Sequence, residues 1–198
     1  MALPPRLVTP ARLIFEAANK ANVTAILFGS AAAKLHGAKR DTKDLDINVS
    51  SLGFTTFLPN EFVCHPRTVD TRQHITWANT VKCDVATERT ELVNDAFETY
   101  SCVTEDGIRY ASANILLADK IRTYGRRPFQ AVQKQENDLY DVLQLIDVMR
   151  QKGDKMPDEL KESILSEDVL RAFLERVPVE DHLLYRTFLE ELNVNLPN

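Results

Sequence analysis

The 198-residue sequence lacks the features that mark secreted and membrane proteins. No apolar run is long enough to cross a bilayer, and the first ten residues contain no apolar signal-peptide core. Only three cysteines occur, Cys64, Cys83 and Cys102, and no two of them form a Cys-x-x-Cys pair. The count indicates neither a disulfide framework nor a zinc site. We therefore expect a cytoplasmic protein with reduced, buried thiols.

The sequence also lacks an excess of positive charge. Its formal net charge of −5 at pH 7 argues against sequence-independent coating of double-stranded DNA. It contains no basic and aromatic stretch typical of an RNA-binding module, and no repeat or low-complexity tract. The charge is unevenly distributed, because residues 1–135 have a small basic excess and residues 136–198 a strong acidic one. The functional prediction rests on a segment in the basic part.

That segment is Ala25–Val49. Its apolar run Ala25–Phe28 predicts a buried strand, which the Gly29-Ser30 dipeptide ends. A helix of small residues follows, and Gly37 stands where a C-cap glycine is common. After a basic loop, Asp44–Val49 alternates polar and apolar residues, which predicts a second strand. The segment therefore predicts strand, turn, helix, loop and strand.

The two strands frame residues with a clear chemical meaning. Alternation places Asp44, Asp46 and Asn48 on one face of the second strand. Adjacent carboxylates repel each other unless a cation lies between them, and oxygen ligands suit Mg²⁺. At the Gly29-Ser30 turn, backbone N–H groups and a helix N-terminus can bind a phosphate. Transfer of a nucleotidyl group requires this combination, although a solvated strand face that carries two aspartates by chance is the alternative.

These motifs resemble those of a known superfamily. Gly29-Ser30 followed by Asp44-x-Asp46 resembles the Gly-Ser…Asp-x-Asp signature of the DNA polymerase β-like nucleotidyltransferases. The fuller string, His36-Gly37 and then Arg40-x-Thr42-x-Asp44-Leu45-Asp46, is similar to the minimal nucleotidyltransferases related to AbiEii-type abortive-infection toxins. The resemblance implies catalysis by Asp44 and Asp46 as ligands of two Mg²⁺ ions, with Mn²⁺ as the other candidate. It also implies nucleotide binding by Gly29, Ser30, Arg40 and Thr42.

The resemblance calls for a third carboxylate on a later strand. Val81–Ala86 alternates polar and apolar residues, which predicts a half-buried strand with Asp84 on its polar face. We choose Asp84 as the third catalytic and metal-binding residue, with Asp70 in reserve. The alternative is that Asp84 is a surface charge.

The predicted secondary structure changes at Ser112, from strands and helices before it to helices alone after it. Residues 1–111 predict an α+β nucleotidyltransferase-like core with a mixed β-sheet flanked by helices. Residues 112–198 predict a C-terminal helical bundle that packs on this core. Capping residues predict a first helix that begins at Thr9-Pro10, and Gly125 with Pro128 predicts the end of the helix after Ser112. Residues 88–97 predict a short helix.

The helical region extends the resemblance. Lys120, Arg126-Arg127 and an Asp138-Leu139-Tyr140-Asp141 helix follow the AbiEii-type pattern of a lysine, an arginine and an acidic helix. The resemblance implies that Lys120 contacts the nucleotide phosphates, with Arg127 as a further nucleotide-binding candidate. Asp138 and Asp141 share a helix face, and we expect them to hold Lys120 or Arg127. A solvated lysine is the alternative for Lys120.

The sequence thus predicts a Mg²⁺-dependent enzyme that moves a nucleoside monophosphate from an NTP, such as ATP, to a hydroxyl acceptor. An RNA or tRNA 3′ end is the favoured acceptor, since the resembling toxins include tRNA modifiers, and a small molecule or a protein side chain stays open. A nucleotide sensor without catalysis and a scaffold with an acidic helical surface are the rivals. A toxin role would need an antitoxin partner, which one chain does not show. His36 is expected to pack, and His65, His74 and His182 receive no chemical role.

Overall fold

The structure, a computed structural model, describes residues 2–66, 72–87 and 99–197. The chain divides into two compact units. The first comprises Met1–Leu35 and Arg40–Ser112, and the second comprises His36–Lys39 and Ala113–Asn198. The predicted division between residues 111 and 112 lies one residue from the main boundary. The predicted helix over residues 88–97 and the reserve carboxylate Asp70 lie outside the described residues.

The described part of the first unit is built on a mixed β-sheet. Its strands are β1 (Ala25–Phe28), β2 (Asp44–Val49), β3 (Phe62–Cys64), β4 (Arg72–Trp77), β5 (Val81–Ala86), β6 (Ser101–Val103) and β7 (Arg109–Ala111). They lie in the order β3-β4-β5-β2-β1-β7-β6. Strand β2 is parallel to β5 and β1 is parallel to β7, whereas the other neighbours are antiparallel. The predicted α+β class with a mixed sheet is confirmed.

The central strands are stabilised by the burial of apolar side chains, which alternate with polar ones along β2. Leu45, Ile47 and Val49 of β2 are each 0% exposed, as their spacing predicts. Burial of each such side chain contributes about 1.5–3 kcal/mol relative to exposure. Strand β1 is buried at all four positions, so both of its faces are covered. Strand β1, which leads into the Gly-Ser turn, and the strand β2 that carries the Asp-x-Asp motif are therefore both well buried.

The helices of the first unit begin earlier than the capping residues predict. Helix α1 spans Pro5–Lys20, so the predicted start at Thr9-Pro10 is wrong, and Pro10 lies inside the helix. The apolar face extends one turn towards the N-terminus through Leu7, which is 0% exposed. Burial of Leu7, and of the Pro10 ring itself, offsets the one backbone hydrogen bond that Pro10 removes. Helix α2 spans Gly29–His36, where His36 is buried, and a 3₁₀ helix spans Leu52–Phe57.

The second unit is helical, as predicted. It contains α3 (Ala113–Arg126), α4 (Val132–Lys152), α5 (Asp158–Ser163), α6 (Glu167–Leu174) and α7 (His182–Glu191), with a 3₁₀ turn at Val179–Asp181. Phe173 lies at its centre, 5.5 Å between ring centroids from both Tyr124 and Tyr185. Among the described residues, no helix has the length and apolar character needed to cross a membrane.

One smaller prediction is confirmed and one needs correction. Helix α3 ends at Arg126, between Gly125 and Pro128 as predicted, and Gly125 lies in its last turn where α3 meets α6. A Cβ at this position would lie 3.1 Å from the backbone nitrogen of Phe173, so glycine permits a close helix crossing here. The expectation of buried thiols fails for Cys64, which is exposed on the short strand β3, although all three cysteines are unpaired by disulfides.

Candidate active site

Three aspartates lie on one face of the sheet where β2 and β5 run side by side. In the parallel register of these strands, Asp44 is opposite Lys82 and Asp46 is opposite Asp84. Residues opposite each other on paired strands point to the same side of the sheet. Asp44 is exposed, Asp46 is partly buried, and the Asp84 side chain is only 16% exposed. The structure therefore places Asp84 beside the Asp-x-Asp pair, where the sequence prediction needs it.

Gly29 supports Asp46 from the end of β1. Its φ of +61° is a left-handed conformation, which glycine adopts without strain. A Cβ built on Gly29 would lie only 2.1 Å from Oδ2 of Asp46. The carboxylate therefore rests directly on the backbone of the turn, in space that a side chain would occupy. This contact joins the Gly-Ser motif to the Asp-x-Asp motif.

We expect Gly29→Ala to destabilise the protein by about 2–5 kcal/mol, because it adds a left-handed non-glycine residue and a steric clash with Asp46. Urea unfolding would measure the loss. Gly107→Ala is the matched control, since Gly107 also has a positive φ, +78°, but no atom lies within 4 Å of its built Cβ. The control should lose about 1–2 kcal/mol, from the backbone conformation alone. Equal losses at the two positions would contradict the contact with Asp46.

The loop before β2 is tied to the Gly-Ser turn. The guanidinium of Arg40 donates a hydrogen bond to Oγ of Ser30. Thr42 is buried, and its hydroxyl donates to the backbone carbonyl of Asp44 at 3.2 Å. Arg6 of α1 donates to the carbonyl of Thr42 at 2.7 Å. Arg40 and Ser30 thus lie together as a nucleotide site would need, whereas the Thr42 hydroxyl holds the backbone of Asp44.

Asp84 has protein partners for both of its oxygens. Nδ1 of His74 lies 2.6 Å from Oδ1, and Nζ of Lys82 donates to Oδ2 at 3.1 Å. Burial raises the pKa of the Asp84 carboxyl, but hydrogen bonds from His74 and Lys82 outweigh it, so the pKa lies below its ordinary value. Asp84 is therefore held as a carboxylate.

The sequence prediction gave His74 no role, yet a signal for its position was present. Strands β4 and β5 are joined by a tight turn, and Trp77 pairs with Val81 across it. In an antiparallel pair, each residue further back along β4 lies opposite one residue further forward along β5. Three such steps from the Trp77–Val81 pair place His74 opposite Asp84. Once the short turn at residues 78–80 is recognised as a hairpin, the pairing follows from the sequence.

The buried thiol of Cys83 lies close to the three carboxylates of the site. It lies between Lys82 and Asp84 on β5 but on the opposite, apolar face, and it is 0% exposed. Burial, with added repulsion from Asp84, Asp44 and Asp46, raises the pKa of the Cys83 thiol to about 12. The three carboxylates thus add to the effect of burial on this thiol.

The second unit contains a separate group of buried charges. Lys120 is 9% exposed, and its Nζ lies 2.8 Å from both Oδ1 of Asp138 and Oδ2 of Asp141. Arg127 donates through Nε to Oδ2 of Asp138 at 2.7 Å. Burial lowers the pKa of the Lys120 ammonium, but the two carboxylates outweigh it, and the net shift is upward. Asp138 and Asp141 thus make the contacts expected of them, whereas nucleotide binding by Lys120 and Arg127 stays a prediction.

The donor atoms at the sheet face suit a divalent cation that a substrate helps to bind. Among the described residues, no three His, Cys, Asp or Glu side chains form a closed set of metal ligands. Mg²⁺ commonly binds to one or two carboxylates and completes its shell with water and substrate phosphates. Asp44 and Asp46 offer such a pair on one strand face, with Asp84 alongside. Asp44 and Asp46 are thus the residues that could hold a magnesium ion together with a triphosphate, and its binding stays a prediction.

Comparison with known proteins identifies the fold. No family profile and no curated protein sequence matches this chain. An antigenic nucleotidyltransferase-like protein from Paracoccidioides brasiliensis is similar in structure, with a TM-score of 0.66 and 15% identity, over 99% of this chain and 96% of that protein. The polyadenylate synthase of Megavirus has a TM-score of 0.51 and 14% identity, over 76% of this chain and 36% of that protein. The AbiEii-type resemblance stays a prediction, and the fold itself is that of the nucleotidyltransferase-like proteins.

Proposed function

We propose that this protein is a metal-dependent nucleotidyltransferase, in which the oxygen of a hydroxyl acceptor bonds to the α-phosphorus of an NTP and pyrophosphate leaves. The observation that carries the proposal is the alignment of Asp46 with Asp84 across two parallel strands, with Asp44 on the same face. The contact between Asp46 and Gly29 adds to it, because it brings a phosphate-binding turn against the carboxylates. Similarity of fold to nucleotidyltransferase-like proteins supports the same conclusion.

Each residue of the cluster has a proposed task. Asp44 and Asp46 would hold Mg²⁺, while the backbone after Gly29 and the Ser30 hydroxyl would bind the β- and γ-phosphates. A bound divalent cation would neutralise phosphate charge and lower the pKa of the acceptor hydroxyl. Asp84, on the strand beyond Asp46, would face the acceptor and receive its proton. Catalysis in this arrangement depends mainly on positioning and electrostatics.

Arg40 would add the positive charge nearest to the turn. Its guanidinium already donates to Ser30, and guanidinium groups bind phosphate oxygens through two parallel hydrogen bonds. We propose that Arg40 exchanges its bond to the Ser30 hydroxyl for bonds to the triphosphate. The Thr42 hydroxyl would serve this site indirectly, by fixing the backbone from which Asp44 projects.

An RNA 3′ end is the acceptor that we propose to test first. One protein of similar structure is a polyadenylate synthase, which suggests an RNA acceptor for this chain as well. Small-molecule hydroxyls and protein side chains are the other acceptor classes. If Asp84 lay far from Asp46, a nucleotide sensor without catalysis would be the better proposal. In the register of β2 and β5 the two residues lie opposite each other, which favours the enzyme.

A transfer assay tests the proposal. Each of four α-labelled NTPs would be incubated with the protein, Mg²⁺ and total cellular RNA, with EDTA in parallel samples. We expect Mg²⁺-dependent label on RNA from at least one NTP. Label on protein or on a small molecule would support the proposed reaction but contradict RNA as the acceptor. Mg²⁺-dependent NTP binding without any transfer would favour the sensor, and absence of NTP binding would contradict the proposal.

A further inference from the structure

His74 contacts the proposed active site from the strand next to Asp84. The side chain is 28% exposed, and its Nδ1 lies 2.6 Å from Oδ1 of Asp84. The ring is rigid, and the antiparallel register of β4 and β5 fixes its backbone directly opposite that of Asp84. A hydrogen bond of this length between an imidazole N–H and a carboxylate is charge-assisted and strong. His74 therefore restricts rotation of the Asp84 carboxylate about its Cβ–Cγ bond.

Lys82 contacts the other oxygen of Asp84 in a different way. Its Nζ donates to Oδ2 at 3.1 Å, but its side chain is 51% exposed and four methylenes long. An exposed lysine keeps much of its rotational freedom and adds little to the fixing of a partner. Of the two groups that bind Asp84, the imidazole is thus the one suited to set the carboxylate plane.

We propose that His74 is a positioning residue for Asp84. By donating from Nδ1 to Oδ1, it orients the carboxylate so that Oδ2, which accepts from the exposed Lys82 side chain, turns to the acceptor hydroxyl in place of Lys82 when the substrate is bound. This inference rests on the proposed function, and it adds a residue outside both sequence motifs. Partners that orient a catalytic or metal-binding carboxylate commonly affect activity by about 10- to 100-fold when removed.

Two substitutions of His74 separate orientation from folding. His74→Ala removes the hydrogen bond, whereas His74→Asn keeps an N–H donor close to the position of Nδ1. We expect kcat of the alanine variant to fall about 10- to 100-fold, with recovery of most of the loss in the asparagine variant. The Kd for NTP should stay within about two-fold in both, because His74 touches neither the Gly-Ser turn nor Asp44 and Asp46.

His65→Ala is the matched control. His65 follows β3, and its Nε2 lies 3.0 Å from the hydroxyl of Thr76 instead of a carboxylate. Its kcat should match that of the wild-type protein. A wild-type kcat in His74→Ala, or equal losses in the alanine and asparagine variants, would overturn the positioning role alone. A wild-type protein without transfer activity would overturn the proposed function and the positioning role together.

Discussion

Asp44→Asn is expected to reduce nucleotidyl transfer by roughly a thousand-fold or more without unfolding the protein. The substitution preserves the shape of the side chain but removes one of the two charges proposed to hold the cation and the triphosphate. Asp44 is exposed at the start of β2, so its loss should change the free energy of unfolding by less than about 0.5 kcal/mol. Initial rates at saturating NTP and urea unfolding would measure the two effects.

Asp41→Asn is the control for this substitution. Asp41 lies in the loop that precedes β2, has a side chain 89% exposed, and pairs loosely with Lys34 at 3.8 Å. It changes the net charge equally and should leave transfer unchanged. Full activity in Asp44→Asn would contradict the assignment, and equal losses in both variants would indicate a general effect of charge.

Lys120→Met is expected to destabilise the protein by about 3–5 kcal/mol, because it leaves Asp138 and Asp141 buried without their shared cation. Both carboxylates are almost fully buried, with side-chain exposures of 4% and 1%. Urea or thermal unfolding would measure the loss. Lys152→Met, at the exposed end of α4, is the control and should change stability by less than about 0.5 kcal/mol.

A double variant tests the cause of this loss. If the cost of Lys120→Met comes from unpaired buried charge, Asp141→Asn should recover part of it when the two changes are combined. The sequence resemblance makes a different prediction, in which Lys120 contacts phosphates. A stable Lys120→Met variant with a weakened affinity for NTP would support that role and contradict the structural one.

The sheet could be predicted because its strands carry their own pattern. In β2 and β5, apolar residues alternate with polar ones, and this period of two fixes which side chains share a face. The same rule predicts that Asp44 and Asp46 share a face and that Asp84 lies on the polar side of its strand. It does not say which strands are neighbours, so the position of Asp84 opposite Asp46 follows only from the register of β2 and β5.

Other features depend on contacts between residues distant in sequence. Pro10 is a strong local signal for the start of a helix, but it lies within α1 because tertiary packing outweighs the local preference. The sequence predicts that Asp138 and Asp141 hold Lys120 or Arg127, but only the fold shows that Lys120 contacts both carboxylates and that Arg127 contacts Asp138. The position of His74, in contrast, follows from a local feature. The short hairpin turn between β4 and β5 fixes which residues pair, but that turn was not recognised from the sequence.

The close approach of Asp46 to Gly29 also limits how this protein can evolve. Because the carboxylate occupies the space of a side chain at position 29, substitutions at the two positions are not independent. Loss of the carboxylate would relieve the steric part of a change at Gly29, but it would remove a proposed metal ligand at the same time. Descendants that keep the chemistry are therefore confined to glycine at position 29, whereas lineages that lose it become able to vary both positions together.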